Sequence, residues 1–310
     1  MATLLEEGNI YFVHDDEIEE DLSQTEDTEV ISMWVKDRDF IRPTTDITLL
    51  KKIEPGVYTA EYDRNIGIYC RKVPNTTDEL FIFSDSLITN LLAEIDLFWS
   101  KKELYKKNNL IHKRGILLEG FPGTGKTSII TIICNKVIKN GGIVFKISND
   151  KSLNDYLLFM KSGFRKIEPD TPVITIIEDL DFYEEVESEL LDFLDGQTHI
   201  NHHIVLATTN NSEAIPDTFL RPSRIDLRIE IELPNKIIRE EFFRFKNVPE
   251  ADIKHLVKES DGFSLADLKE LYICIYLLDY PTKDAVKKIS KPREKINYLQ
   301  SPLNSGNIGL

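Results

Sequence analysis

At 310 residues, with a net charge of −15 and 41% hydrophobic residues, the chain has room for two or three domains and the composition of an ordinary soluble protein. The acidic balance argues against a surface that wraps nucleic acid through its phosphates, which needs clustered Lys and Arg. No apolar run approaches the roughly 20 residues that span a bilayer. The segment Met1 to Glu7 lacks the basic and apolar regions of a signal peptide, and Cys70, Cys134 and Cys274 are far apart and odd in number. Reduced thiols and a cytoplasmic address are the expectation.

Residues 15–29 carry nine acidic residues and no basic one, the pattern of a solvated segment. From residue 30 the texture changes. Val30–Val35, Val57–Tyr62, Ile66–Cys70 and Leu80–Phe83 are short, β-branched and aromatic, and turn-forming residues separate them. They predict a small β-rich module over 30–83, with a hairpin across Asp63-Arg64-Asn65 and nothing catalytic in it. From Ser84 the spacing of Leu87, Leu91, Ile95 and Phe98 is helical. A linker, Asn108 to Arg114, then feeds a short apolar strand at Ile116–Leu118.

Beyond that strand the chain alternates. Helices are predicted at Ser128–Lys139, Leu153–Lys161 and Glu184–Asp195, and strands at Ile143–Ile147, Pro172–Ile177, His203–Thr208 and Ile225–Leu233. Strand–helix alternation implies a parallel sheet covered on both faces, so residues 84–234 read as an α/β, αβα core. Pro234 punctuates. Amphipathic helices at Ile237–Phe245, Ala251–Lys258, Leu265–Leu278 and Lys283–Ile289 then make an all-α domain over 235–299, with Ser264 and Asp267 as an N-cap pair and a frayed tail at 300–310.

One stretch organises the rest. Gly120-Phe121-Pro122-Gly123-Thr124-Gly125-Lys126-Thr127 fits G-x-x-x-x-G-K-[ST] and lies between a strand and a helix that opens with Ser128. Its glycines let backbone N–H groups wrap a polyphosphate, and the helix N-terminus favours the negative charge. Lys126 is placed for the β- and γ-phosphates and the Thr127 hydroxyl for Mg²⁺. Glu178-Asp179-Leu180-Asp181 ends a buried apolar strand, at the sheet edge where ligands of parallel sheets bind. One carboxylate there would sit near Mg²⁺ and another would orient water. Asn210 ends the next strand, where a water-holding amide and a simple turn residue weigh equally. Arg221 and Arg224 stand at turn-forming positions, where a guanidinium can neutralise a transferring phosphoryl group, although such residues are more often plain surface arginines. His199, His202 and His203 invite a metal reading, but no Cys or acidic partner shares a ligand-like spacing with them.

Taken together, these stretches resemble the AAA+ ATPases, in particular the classical AAA group. Residues 120–127 resemble its Walker A motif, Val173–Asp181 its Walker B, Ala207–Asn210 its sensor 1 strand, Leu220–Asp226 its arginine-finger stretch and Asp261–Leu268 its lid-helix signature. The run from Leu91 to Arg114, the Glu-Asp order at 178–179 and Leu190–Gly196 are most similar to the Bcs-type branch. The resemblance implies a five-stranded αβα domain with a helical lid, binding ATP and Mg²⁺ at a subunit boundary. Gly120, Pro122, Gly123, Thr124, Gly125, Lys126, Thr127 and Ser128 would hold the nucleotide. Thr127 and Glu178 would take the metal side, Asp179 (or Asp181) the water and Asn210 the γ-phosphate.

Arg221 and Arg224 would act in trans in a ring, six being the usual family number. The implied activity is ATP hydrolysis that remodels or translocates a protein partner held by the N-terminal module. A nucleic-acid-associated loader or packaging accessory, and a nucleotide-dependent assembly switch with little turnover, are the rival expectations. Several features depart from the group. The usual Asp-Glu order is inverted, no arginine stands near Leu265-Ala266, and the aromatic pore loop of threading unfoldases is not evident between Ile147 and Pro172. Tyr156 and Phe164, the aromatic residues nearest to that role, fit a helical core better.

Overall fold

The β-branched runs after residue 112 all become strands of one sheet. The computed structural model describes residues 50, 52–65, 67–74, 86–148, 150–160, 164–183, 187–195 and 201–299, and the backbone of four strands within 3–44. Those four form two antiparallel pairs, β1 (Thr3–Glu6) with β2 (Asn9–Phe12) and β3 (Met33–Asp37) with β4 (Phe40–Thr44). Residues up to Ile53 make one compact unit and those from Glu54 another.

The second unit is built on a seven-stranded sheet. Its strands are β5 (Gly56–Asp63), β6 (Gly67–Val73), β7 (Lys113–Glu119), β8 (Ile143–Ile147), β9 (Val173–Ile177), β10 (His203–Thr209) and β11 (Leu227–Glu230), in the order β11-β7-β10-β9-β8-β5-β6. All neighbours are parallel except the β5–β6 hairpin. This corrects the expectation of a separate β-rich module over 30–83 and of a five-stranded sheet. The hairpin across Arg64-Asn65 is present, but β5 pairs with β8 through Val57↔Val144 and buries Val57, Tyr58 and Ala60. A two-stranded hairpin has too little apolar face to stand alone, and the edge of a parallel sheet offers both backbone partners and cover. The strand expected at Leu80–Phe83, the start of the helical spacing at Ser84, the acidic segment 15–29 and the tail 300–310 lie outside the described residues.

Helices cover both faces. On one, α1 (Ser86–Ser100) and α3 (Lys126–Lys139) press Ile88, Leu91, Ile95, Ile129, Ile133 and Val137 onto Ile116, Leu118, Ile174, Ile176, Ile204 and Leu206. A second short helix, α2 (Lys102–Lys107), follows α1. On the other face α4 (Asp150–Phe159), the single turn α5 (Arg165–Ile167) and α6 (Glu187–Leu194) surround an aromatic cluster of Phe145, Tyr156, Phe164 and Phe193. Tyr156 and Phe164 are buried there, so neither is available to a pore.

The lid follows β11. Asn235 caps α7 (Lys236–Phe245) by accepting from the Ile238 N–H, and α8 (Glu250–Glu259) packs beside it. Ser264 and Asp267 form a reciprocal capping box on α9 (Leu265–Tyr272), which passes into a π turn at Ile273–Leu277. The last helix, α10 (Thr282–Leu299), continues well past the predicted end at Ile289. Phe242, Phe243, Ile253, Leu256, Leu268, Leu271 and Ala285 make a core of their own. Among the described residues no helix is long and apolar enough to cross a membrane.

Candidate active site

The strands β7, β9 and β10 end side by side, and the loops that leave them build one cavity of about 780 Å³. After β7 the chain turns through the glycine-rich loop, and Gly125, at φ 102°, stands at the N-terminus of α3 with no side chain capping it. The first turn of α3 therefore keeps backbone N–H groups for an incoming anion. Gly123 matters for a second reason. At φ 79°, a Cβ here would stand 2.8 Å from Ala266 Cβ and 2.9 Å from Ser264 Oγ, so the loop touches the first residues of α9. Ala266 N–H also donates to the Gly123 carbonyl at 3.1 Å, tying the lid to the loop by backbone.

Lys126 is buried at the cavity wall. Its Nζ donates to the carbonyls of Gly120 (2.7 Å) and Phe121 (2.9 Å) and to Asn210 Oδ1 (2.7 Å). Burial holds its ammonium below the ordinary range, opposed by Asp179 and Asp181. Asn210 Nδ2 in turn donates to Asp179 Oδ1 at 2.9 Å, giving an unbroken chain Lys126–Asn210–Asp179. Asp179 stands in left-handed backbone (φ 52°), and its N–H is held by Thr208 Oγ1 at 3.0 Å. Burial raises its carboxyl above the ordinary value, with Asp181 and Glu178 adding to the effect and Lys126 opposing it. Asp181 faces differently: it accepts from Thr209 Oγ1 at 2.7 Å and does not line the cavity. Glu178 lines the cavity and pairs with Lys146 Nζ at 2.8 Å. Thr127 is exposed at the same wall, and Pro122, Gly123, Gly125 and Ser128 complete that side. Gly120 and the buried Thr124 shape the loop from behind, Thr124 Oγ1 donating to the Phe121 carbonyl at 2.9 Å.

The residues fit a nucleotide with a divalent cation. The loop supplies a helix N-terminus and a lysine satisfied only by carbonyl and amide oxygens, which a polyphosphate can replace. The same cavity is lined by Thr127, with its hydroxyl, and by the carboxylates of Glu178 and Asp179, hard oxygen donors of the kind Mg²⁺ prefers. Phe242, Phe245 and Leu265 of the lid supply apolar wall.

The two arginines separate. Arg221 is exposed, whereas Arg224 is tied within its own chain. Its Nε and Nη2 donate to the two oxygens of Asp195, each at 2.5 Å, and Nη1 donates to the Thr218 carbonyl at 2.6 Å. Gly115 makes room for that loop, since a Cβ there would lie 1.8 Å from the Arg224 carbonyl oxygen. Asp226 closes it by accepting from the N–H groups of Gly115 and Ser223.

The histidines face elsewhere. His202 Nδ1 shares a hydrogen bond with His112 Nδ1 at 3.0 Å, and His203 Nε2 bonds Thr175 Oγ1 at 2.8 Å. His199 lies outside the described residues. Sequence reasoning assigned no place in the site to Lys146, Phe242, Phe245, Lys246 or Lys269, and it named Thr208, Leu265 and Ala266 only within longer stretches. A lone lysine in the apolar strand Ile143–Ile147 was the available signal for the first; the others carry none without the fold.

Residues 116–233 match the family model described as "ATPase family associated with various cellular activities (AAA)". The chain is 27% identical over 244 residues to the "Probable 26S proteasome regulatory subunit 10B" of Caenorhabditis elegans, covering 72% of this chain and 58% of that protein. It is 26% identical to the "26S proteasome subunit RPT4" of Saccharomyces cerevisiae (74% and 57%). To the "Cell division cycle protein 48 homolog" of Archaeoglobus fulgidus it is 29% identical (71% and 32%). It thus spans less than two thirds of the length of each of these three relatives.

Proposed function

We propose that this chain, whose residues 116–233 match the AAA ATPase family model, binds ATP with Mg²⁺, hydrolyses it in a ring of like subunits, and uses the cycle to remodel a protein partner. The observation that carries the reading is the continuous chain Lys126–Asn210–Asp179 on the wall of the cavity.

Each residue has work in that scheme. Lys126 exchanges the Gly120, Phe121 and Asn210 oxygens for phosphate oxygens, and the α3 N-terminus adds its partial positive charge. Thr127 and Glu178 would hold Mg²⁺. The bound nucleotide–metal complex supplies the reactive phosphoryl group and much of the charge that polarises it. Asn210, released from Lys126, orients the attacking water with Asp179, whose raised proton affinity suits a group that must draw a proton from that water. Asp181 is held by Thr209, so Asp179 is the better fit to this role. Arg221 would reach a neighbour's site in trans, with Arg224 fixing the loop from which it projects.

The protein-remodelling part rests on the relatives, which are named as proteasome and Cdc48-type proteins. The net charge of −15 weighs against a nucleic-acid role. A finer place in the Bcs-type branch rests only on Leu91–Arg114, the Glu178-Asp179 order and Leu190–Gly196. The N-terminal residues would select the partner, and six subunits is the count we expect.

Phosphate release against protein concentration, at saturating Mg²⁺ and ATP, tests this reading. A rate per subunit that climbs steeply and then levels is expected if neighbours complete each site. A rate independent of concentration down to the monomer would overturn the ring. Nucleotide-dependent assembly without phosphate release would instead favour the assembly switch.

A further inference from the structure

Glu178 meets the cavity already paired. Lys146 on β8 places Nζ 2.8 Å from Glu178 Oε2, and both side chains line the cavity that Lys126 and Thr127 also line. The sheet register makes the pair unavoidable. Lys146 stands opposite Ile176 in the parallel ladder, and side chains alternate along a strand, so Glu178, two residues on, returns to the face of Lys146. That face is the one covered by α3, the helix that the glycine-rich loop opens. With 40% and 29% of their side-chain surface exposed, lysine and carboxylate are close enough to solvent to be reached by a ligand and covered enough to feel each other.

The consequence is a question of charge. Glu178 is the carboxylate assigned to the metal, yet a fixed ammonium already neutralises it. A divalent cation entering beside Glu178 is repelled by Lys146, whereas a polyphosphate entering beside the two lysines is attracted by both. We propose that Lys146 is a resident cation of the nucleotide site: it holds Glu178 and stands in for part of the charge of Mg²⁺, so that metal-free nucleotide binds well and the metal adds less affinity than an unpaired Glu178 would allow. This deepens the reading above and rests on it. Lys146 is a positioning residue, acting through Glu178 and on the phosphates' charge rather than on the reacting atoms.

The test measures binding, not turnover. Calorimetry of the full chain with a β,γ-imido ATP analogue, in Mg²⁺ and in excess EDTA, gives the ratio of the two dissociation constants. Lys146→Met should weaken metal-free binding and raise the EDTA-to-Mg²⁺ ratio by about tenfold, as expected for removing one unit charge a few ångströms from a doubly charged ion. Lys146→Arg should keep the ratio within about threefold of the parent, because charge and reach persist. A folded K146M with an unchanged ratio overturns the proposal and leaves nucleotide binding standing. Failure of the parent protein to bind the analogue in either condition overturns the nucleotide reading itself. Should K146M not fold, Glu178→Gln reads the same pair from its other side. Freed of its carboxylate, Lys146 should tighten metal-free binding several-fold, and no tightening would overturn the proposal.

Discussion

At the scale of single residues the site is a set of exchangeable hydrogen bonds. Asn210 occupies both Lys126 and Asp179 and can release either when phosphate enters. Asn210→Ala should therefore cut the turnover number by at least about a hundredfold while changing nucleotide affinity by less than about fivefold. Steady-state kinetics and calorimetry together separate the two effects. The buried histidines give a second residue-level prediction. Burial, then Lys102, His112 and Arg165, push His202 down from 6.5 to about 4, with Asp170 opposing. His112 is lowered by burial, against its bond to the Phe98 carbonyl, and His203 is lowered well below 6.5, again chiefly by burial. The unfolded chain takes up protons near pH 6.5 and the folded chain does not, so stability rises with pH across this window. It should be complete above about pH 6.5 and fall progressively as pH drops from there towards 4, with His202 and His112 contributing as a hydrogen-bonded pair. Urea unfolding at stepped pH checks this, and His202→Phe should flatten the slope.

Between elements, two contacts transmit more than they stabilise. The loop and the lid meet at Gly123, where the left-handed backbone and the nearness of Ala266 and Ser264 leave no room for a side chain. Gly123→Ala should destabilise by about 1–3 kcal/mol and push α9 off the loop. Limited proteolysis of the 235–299 segment should then lose its sensitivity to nucleotide. The second contact joins the end of α6 to the arginine loop. Asp195→Ala leaves Arg224 half-buried without its paired acceptors and should cost about 1–3 kcal/mol in denaturant unfolding. It should also raise the protein concentration at which turnover reaches half its plateau, because Arg221 is then carried on a looser loop.

For the whole molecule, the trans arrangement makes a prediction that no single chain can satisfy. Lys126→Ala removes a subunit's own site and keeps its Arg221, while Arg221→Ala does the reverse. Each variant alone should turn over at less than about a hundredth of the parent rate, and an equimolar mixture should recover a measurable fraction. Activity measured on mixtures from 1:9 to 9:1 checks it. A mixture no more active than its parts would mean that Arg221 serves its own subunit or none.

Much of this was readable before any fold was known. The loop from Gly120 to Thr127, the acidic end of the Val173–Ile177 strand and the alternation of strands with helices follow from local chemistry. A glycine turn, a double-sided apolar strand and a helical period each announce themselves within a few residues. The partners of those residues do not. That Lys146 meets Glu178 depends on strand register, that Arg224 is spent on Asp195 depends on where α6 ends, and that β5 and β6 complete the central sheet depends on an edge formed much later in the chain. Short β-branched runs carry propensity but no address, since any open sheet edge offers the same hydrogen bonds. The sequence determined which chemistry was assembled and at which strand ends; only the tertiary structure decided which charges neutralise one another there, because ion pairing depends on distance in space and not on separation along the chain.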